Sequence, residues 1–460
     1  LPTPHLKHVM MLPRRGTPLL LLALLPPQTY GERYVQLTQR ERLKELIGSL
    51  RHTHGGPSFV PPSSLERLST DAYRECQPST TEEEYTQLCH RVIAGLEDQY
   101  AAYLPEAQST AMRERFHGRV GLGISLRRDL RRADGQSWHR GWRRVAAVTA
   151  VEDHSPAARA GVLVGDELLK VDSLQARDAE LPTVSQWLEG PEGSQVQLLV
   201  RRQGEACDRP TSLCVSRRLL PRPSVSGGPA SLGDMGTAYV LRVGLFGAST
   251  ASELRVLLHQ LGRSPTPPRA LVIDLRDNDG GLLTAAVSSA RMLLPAGSHL
   301  LSLQKSAPPR TLRAFRRRWY HRSALPPALR ASDAPPILVL VNERTASAAE
   351  VLAAALRHSG RAVLVGGRTF GKGMSQALVY QRDGAALLFT VYQLASGARR
   401  ATDLLTRGVE PDLAWSWRNR ASDAGTSRAR AEDRELTAAI SYALRCHEEK
   451  SQRGEKWLRL

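Results

Sequence analysis

Apolar positions recur at three- to four-residue spacing along much of the stretch from Leu37 to about Met112. Leu88, Val92, Ile93 and Leu96 line one face of a helix that Thr81-Glu82-Glu83-Glu84-Tyr85 opens with hydroxyls and acids. That helix is predicted to end near Asp98-Gln99-Tyr100. At Val120-Gly121-Leu122-Gly123-Ile124 the texture changes to short strands. Trp142–Val151 reads as a strand. Ser155-Pro156-Ala157 leads into a short helix closed at Ala160-Gly161, and a strand starts at Gly165-Asp166-Glu167-Leu168-Leu169. Val184–Leu188 reads as a helix and Gln195–Arg201 as a final alternating strand, completing one small β-rich module.

Gly, Pro and Ser dominate Pro221–Gly236, which reads as a linker. Beyond it the pattern becomes α/β. Strands are predicted at Ala238–Val243, Ala270–Leu275, Ile337–Val341, Ala362–Val365 and Ala386–Tyr392. Helices are predicted at Thr250–Leu261, at Leu282–Leu294 and after Ser347. Near-continuous apolar strands alternating with helices imply a parallel or mixed sheet covered on both faces. The basic Lys305–Pro336 segment is a long excursion from this domain, either a lid or a solvated insertion. One helix, Arg434–Arg445, is predicted in the Arg- and Ala-rich tail.

A formal charge of +18 invites a nucleic-acid partner. Only seven of the 63 basic residues are Lys, however, and the Arg residues are spread over every segment. A diffuse bias of this kind, with no accompanying motif, excludes a phosphate track, so no nucleic-acid partner is expected. The five Cys form no CxxC pair, and the thirteen His show neither HxxxH nor HExxH. No metal and no cofactor are therefore expected. Cys207 and Cys214 are either bridged across a hairpin or free. Arg14-Arg15 ahead of the apolar Leu19–Leu25 resembles the end of an export signal, too short to span a bilayer.

Candidate chemistry lies in two segments. Ser347 sits among alanines at the start of a helix, where the Ala348 amide is an orphan donor suited to an oxyanion. Alone, Ser347 reads more readily as a helix cap, since Ser is a favoured N-cap residue. Lys372, 25 positions later, lies between Gly371 and Gly373 in a chain that writes almost every other basic position as Arg. A lysine acts as a base only when neutral, which needs its pKa to fall from ~10.4 to roughly 7–8, a bias of about 4 kcal/mol against the charged form. Arg stays protonated and cannot substitute. The Asp277-Asn278-Asp279-Gly280-Gly281 turn closes a buried strand and can present a second donor amide.

Together these segments resemble the carboxyl-terminal processing peptidases, or tail-specific proteases. The resemblance rests on Leu275–Gly281, Val341–Glu350, Gly367–Gln376 and Gly408–Asp412, and extends through a PDZ-like module from roughly Leu88 to Leu413. It implies a multidomain α/β protein with an N-terminal helical region, a PDZ-like β-rich module and a crotonase/ClpP-like α/β protease core. The expected divisions are a targeting remnant (1–35), the helical region (36–118), the PDZ-like domain (119–220), the catalytic core (221–415) and a basic tail (416–460). The resemblance further implies Ser347 as nucleophile, Lys372 as base and Gln376 as the residue that orients it. The amides of Ala348 and one of the paired glycines, Gly281 before Gly280, would form the oxyanion hole. Gly121, Leu122, Gly123 and Ile124 match the loop that takes a substrate's terminal carboxylate.

Asp279 departs from the Pro or small residue usual there, and Tyr392–Gly397 lacks the usual Pro. The helical start and the Glu189–Gly193 turn look most like the photosynthetic branch, which trims the photosystem II reaction-centre precursor in the thylakoid lumen. The expected partners are protein substrates with apolar C-terminal tails, met by peripheral association where the substrate is membrane-embedded. A bacterial periplasmic enzyme is the alternative placement. The rival functions are a non-catalytic binding protein on the same core, a crotonase-like acyl-CoA enzyme and a basic scaffold.

Overall fold

The computed structural model describes residues 37–53, 62–132, 142–176, 179–202, 210–295, 298–304, 310–313, 335–395, 405–417 and 426–452. The 1–35 segment, Cys207 and most of the Lys305–Pro336 excursion lie outside these residues. Two compact units emerge, one from residues within 35–112 and 223–460, the other from 113–222.

The first unit opens with helices α1 (Gln39–Thr53), α2 (Pro62–Glu75) and α3 (Glu82–Ala94). A reciprocal cap starts α3: the Glu84 carboxylate accepts the Thr81 N–H at 2.7 Å and Thr81 Oγ1 accepts the Glu84 N–H at 3.3 Å. The helix stops at Ala94, earlier than its pattern suggests, because the chain turns at Gly95 and Glu97 takes a φ of 56°. Strand β1 (Ala102–Leu104) follows, and α4 (Glu106–His117) carries the chain to the second unit.

That unit comprises β2 (Arg119–Gly121), β3 (Ile124–Arg132), β4 (Trp142–Val151), α5 (Pro156–Ala160), β5 (Glu167–Val171), β6 (Leu174–Gln175), α6 (Leu181–Leu188), β7 (Gln195–Arg201), β8 (Thr211–Ser216) and β9 (Arg218–Leu220). Its main sheet runs β3-β4-β5-β7-β8, all antiparallel, with β6 beside β5 and a separate β2–β9 ladder. The Gln195–Arg201 strand is therefore not the last of the module, since β8 and β9 follow it. Arg217, nearly buried, donates to the carbonyls of Leu188, Trp187 and Gln195 and ties the end of α6 to the sheet.

The first unit resumes with β10 (Val225–Ser231), β11 (Thr237–Val243), α7 (Thr250–Leu261), β12 (Ala270–Asp274), α8 (Leu283–Leu293), β13 (His299–Gln304), β14 (Arg310–Arg313), β15 (Ile337–Val341), α9 (Ala348–His358), β16 (Ala362–Gly366), β17 (Met374–Tyr380), β18 (Ala386–Ala395), β19 (Leu413–Ala414) and α10 (Thr426–Gln452). The sheet order β10-β11-β12-β15-β16-β19 is parallel from β11 onward. Strands β12, β15 and β16 are buried at every position because both faces are covered. Leu271, Ile273, Val339 and Leu364 join one core, while Val272, Leu338, Leu340 and Val363 join another that includes Ile440, Ala443 and Leu444 of α10.

Three further expectations need correction. The Pro221–Gly236 stretch is not only a linker, because β10 pairs antiparallel with β11 along its length. A Cβ on Gly227 would lie 2.0 Å from the Val240 carbonyl oxygen, so the glycine that looked like linker composition permits close strand approach. Part of the excursion is a strand, since β14 pairs with β13. The tail helix spans Thr426–Gln452, well beyond Arg434–Arg445.

Candidate active site

In a parallel sheet the C-terminal strand ends share one edge, where ligands commonly bind. Strands β12, β15 and β16 each end there, and their following loops carry the Gly-Gly turn, Ser347 and Lys372 respectively.

The first two loops are stitched together. Asn278, fully buried, donates from its side chain to the Val243 carbonyl at 2.7 Å, and its own carbonyl accepts the Ala346 N–H at 2.9 Å. Asn342 and Asp277 bond reciprocally at 3.0 and 2.9 Å. Thr345 Oγ1 donates to the Leu275 carbonyl at 2.9 Å. Ser347 emerges from this frame with φ 55° and ψ −116°, a conformation L residues rarely adopt and one that costs about 1–3 kcal/mol. A sharp, strained turn between strand and helix is how a nucleophilic serine is lifted out of its surroundings.

Gly280 lies directly behind it, where an added Cβ would stand 2.8 Å from Ser347 Cβ and 3.0 Å from the Ala348 nitrogen. The two glycines of the turn differ in their amides. Gly280 spends its N–H on Asn278 Oδ1 at 2.9 Å. Gly281 is bracketed by bonds from Phe246 N–H to the Gly280 carbonyl and from Leu282 N–H to the Phe246 carbonyl. Among the described residues its own N–H has no acceptor, and neither has that of Ala348. Gly280, expected as an alternative donor, is thus already engaged.

Glu350, fully buried in the first turn of α9, joins the second and third loops. Its Oε2 accepts the Ser347 N–H at 2.7 Å and the Lys372 N–H at 2.9 Å. Its Oε1 accepts the Gly371 N–H at 2.7 Å and the Thr369 hydroxyl at 2.6 Å. Burial nevertheless pushes the Glu350 carboxyl above its ordinary range, with the four hydrogen bonds opposing it. The Ser347–Glu350 spacing is the capping-box pattern, a sequence signal for this contact that the motif comparison left without a role.

Lys372 is half-buried, and burial draws its pKa down while Asp279 and Asp98 act to raise it. Its Nζ donates to Gln376 Oε1 at 2.8 Å, and Gln376 Nε2 donates to the Tyr100 carbonyl at 2.6 Å. Ser347, Lys372, Gln376, Ala348, Gly280 and Gly281 are therefore gathered at one sheet edge. Glu350 and Tyr100 belong with them and were not foreseen.

In the other unit, Gly121 ends β2, Leu122 is buried and Ile124 opens β3. Gly123 has φ 80°, and an added Cβ would sit 2.3 Å from Ser155 Cβ. The Leu122 and Gly123 carbonyls accept from Ala157 and Glu152 N–H groups, while among the described residues their own N–H groups have no acceptor. Cys214 is an exposed free thiol. The described residues contain no His/Cys/Asp/Glu cluster able to hold a metal, and no helix among them is long and apolar enough to cross a membrane.

A doubly covered parallel sheet with these loops at its C-terminal edge spans the region, residues 237–415, that matches peptidase family S41, and residues 147–202 match the PDZ domain. The chain is a serine-type peptidase whose core, residues 237–415, matches peptidase family S41. It is similar to the chloroplastic C-terminal processing peptidase of Tetradesmus obliquus, 28% identical over 355 residues that make up 75% of this chain and 70% of that one. It is likewise similar to the carboxyl-terminal-processing protease of Synechocystis sp., 31% identical over 262 residues and 56% of each chain. A solved photosystem II D1 C-terminal processing protease is 26% identical, covering 82% of this chain and 93% of that one, with a TM-score of 0.45.

Proposed function

We propose that this peptidase cuts protein substrates near their C-termini through a Ser347–Lys372 dyad. The observation that carries this reading is the shared Glu350 oxygen: one buried carboxylate holds the amides of the strained serine and of the half-buried lysine together. Neutral Lys372 Nζ takes the Ser347 hydroxyl proton as Oγ attacks the peptide carbonyl. The carbonyl oxygen, now negative, is met by the unpaired amides of Ala348 and Gly281. One such donor is worth about 2.7–4 kcal/mol of transition-state stabilisation. The lysine passes its proton to the departing amine, and water then releases the acyl group with Lys372 again as base. Gln376 orients Nζ throughout.

The loop from Gly121 to Ile124 would receive the free carboxylate of the substrate on its open amides, with apolar residues of the tail beside it. The named relatives are chloroplastic and cyanobacterial, which supports maturation of the photosystem II reaction-centre precursor in the thylakoid lumen. Incubation with a C-terminally tailed precursor, followed by mass spectrometry, should show one internal cut and release of the tail. Ser347→Ala, Lys372→Ala and Lys372→Arg should each abolish it, the last because Arg cannot become neutral. Retained cleavage in any of the three removes the dyad.

A further inference from the structure

The lysine's surroundings are set from a distant part of the chain. Asp98 anchors a short loop after α3: its carboxylate accepts the Tyr100 N–H at 3.0 Å, the Thr390 N–H at 2.7 Å and the Thr390 hydroxyl at 2.9 Å. The loop is thereby pinned to β18, and β1 pairs with the same strand from Ala102. Tyr100 then meets the dyad twice. Its carbonyl accepts Gln376 Nε2 at 2.6 Å, and its ring centroid lies 5.1 Å from Lys372 Nζ.

Each contact has a chemical consequence. A main-chain carbonyl only accepts, so Gln376 has to turn its NH2 toward Tyr100 and its Oε1 toward Lys372. A neutral amine has two N–H groups and one lone pair. Oε1 engages one N–H, which leaves the lone pair available to take a proton, in the dyad reading that of the Ser347 hydroxyl. Once the proton moves from Ser347 Oγ to Nζ, the new ammonium faces the electron-rich side of the Tyr100 ring. An interaction stronger with the product of proton transfer than with the starting amine lowers the barrier.

We propose that Tyr100 is a positioning residue for the Lys372 base: its carbonyl fixes the orientation of Gln376, and its ring stabilises the ammonium formed during attack. This rests on the dyad reading above. The charged groups around Nζ are Asp98 on the same loop and Asp279 on the Gly-Gly turn, while Glu350 holds the lysine's main chain.

The test uses the full chain and a tailed peptide. Tyr100→Phe keeps both contacts and should retain the wild-type kcat. Tyr100→Leu keeps the carbonyl and loses the ring, so kcat should fall about 3- to 30-fold with KM unchanged. The pH at which kcat/KM rises should also move downward, since the ammonium loses a partner. To separate the ring's electronics from any effect of Leu on folding, mono-, di- and trifluorinated phenylalanines placed at position 100 supply a second series of nearly constant shape. Their kcat should fall stepwise as fluorine empties the ring face. A flat fluorine series, or equal losses in Tyr100→Phe and Tyr100→Leu, overturns the role assigned to the ring. Ser347→Ala and Lys372→Ala are measured alongside: cleavage by either sinks the dyad itself, whereas inactive dyad variants with a flat series sink only the Tyr100 inference.

Discussion

Replacing Glu350 with Gln preserves size and removes one charge, and stability and activity should respond differently. The carboxylate accepts four hydrogen bonds, from Ser347, Lys372, Gly371 and Thr369. An amide has a single acceptor oxygen, so in either orientation its NH2 confronts donors. Turned toward the loop, it can still be met by the Thr369 hydroxyl, which also accepts, but the Gly371 N–H is left unpaired. Hydrogen bonds to a charged group are worth about 1.5–3 kcal/mol each. Opposing that loss is the cost of burying the charge, several kcal/mol per ion. Burial wins, because the Glu350 pKa is raised despite four donors. Glu350→Gln should therefore change global stability by no more than about 1–2 kcal/mol.

Activity has no such compensation. Ser347 is held at φ 55° by its bond to this carboxylate. Weakening a charge-assisted bond by roughly 1.5–3 kcal/mol lets the strained turn relax, and kcat should fall about 10- to 100-fold at 1.36 kcal/mol per decade. The pH response follows from the same sign. A folded-state pKa raised above 4.5 means the native protein binds this proton more tightly than the unfolded chain. Its contribution to stability is present at low pH and lost as pH rises through the folded value. Activity needs the carboxylate and changes the opposite way. Urea unfolding and peptide cleavage, both followed downward from pH 7, check this. A Glu350→Gln variant with undiminished kcat, or one that loses activity only because it unfolds, refutes the reasoning.

Removing the negative charge at Asp279, which raises the Lys372 pKa, should shift the rise of kcat/KM in Asp279→Asn to lower pH, read from a pH–rate profile. Gly280→Ala forces a Cβ to 2.8 Å from Ser347 Cβ and 2.9 Å from the Ala346 carbonyl oxygen at φ 105°, so cleavage should be lost with a stability cost of at least ~1–3 kcal/mol, visible in cleavage and melting assays. Arg276 makes a bidentate buried pair with Asp274 at 2.8 Å and lies 4.3 Å from the Trp417 ring. Arg276→Ala strands the Asp274 charge and should cost about 3–5 kcal/mol in urea unfolding, whereas a double change to apolar residues should recover most of it.

The parallel sheet was legible because its strands are nearly continuous apolar runs: residues 270–273 and Ile337–Val341 need no alternation when both faces are covered. Motifs of local spacing also marked Ser347, Lys372 and Gln376 as candidates, which the structure links through Glu350 and the Lys372–Gln376 bond. Composition misled at Val225–Ser231, where glycine serves close strand approach as readily as a flexible linker. Met374–Tyr380 is a strand that the motif around Lys372 obscured. Tyr100 carried no signal, because it meets Gln376 across 276 positions and does so through a main-chain carbonyl that any residue supplies. The backbone strain at Ser347 was equally silent, because it is held by the Glu350 carboxylate and by a loop stitched through Asn342, Thr345 and Ala346 to Asp277, Leu275 and Asn278 of the preceding strand's turn.

Strand β18 has consequences for anyone cutting this gene into pieces. One of its edges is occupied by β17; the other is shared between β13 at Gln393–Ala395 and β1 at Ala386–Leu388. A fragment trimmed to the peptidase match at 237–415 would omit β1 and uncover backbone donors and acceptors beside Leu387 and Phe389, both fully buried in the intact chain. An apolar strand with an open edge invites another copy to dock there. Such a fragment should recover as aggregates, and supplying residues 82–104 as a separate peptide is the natural remedy to try.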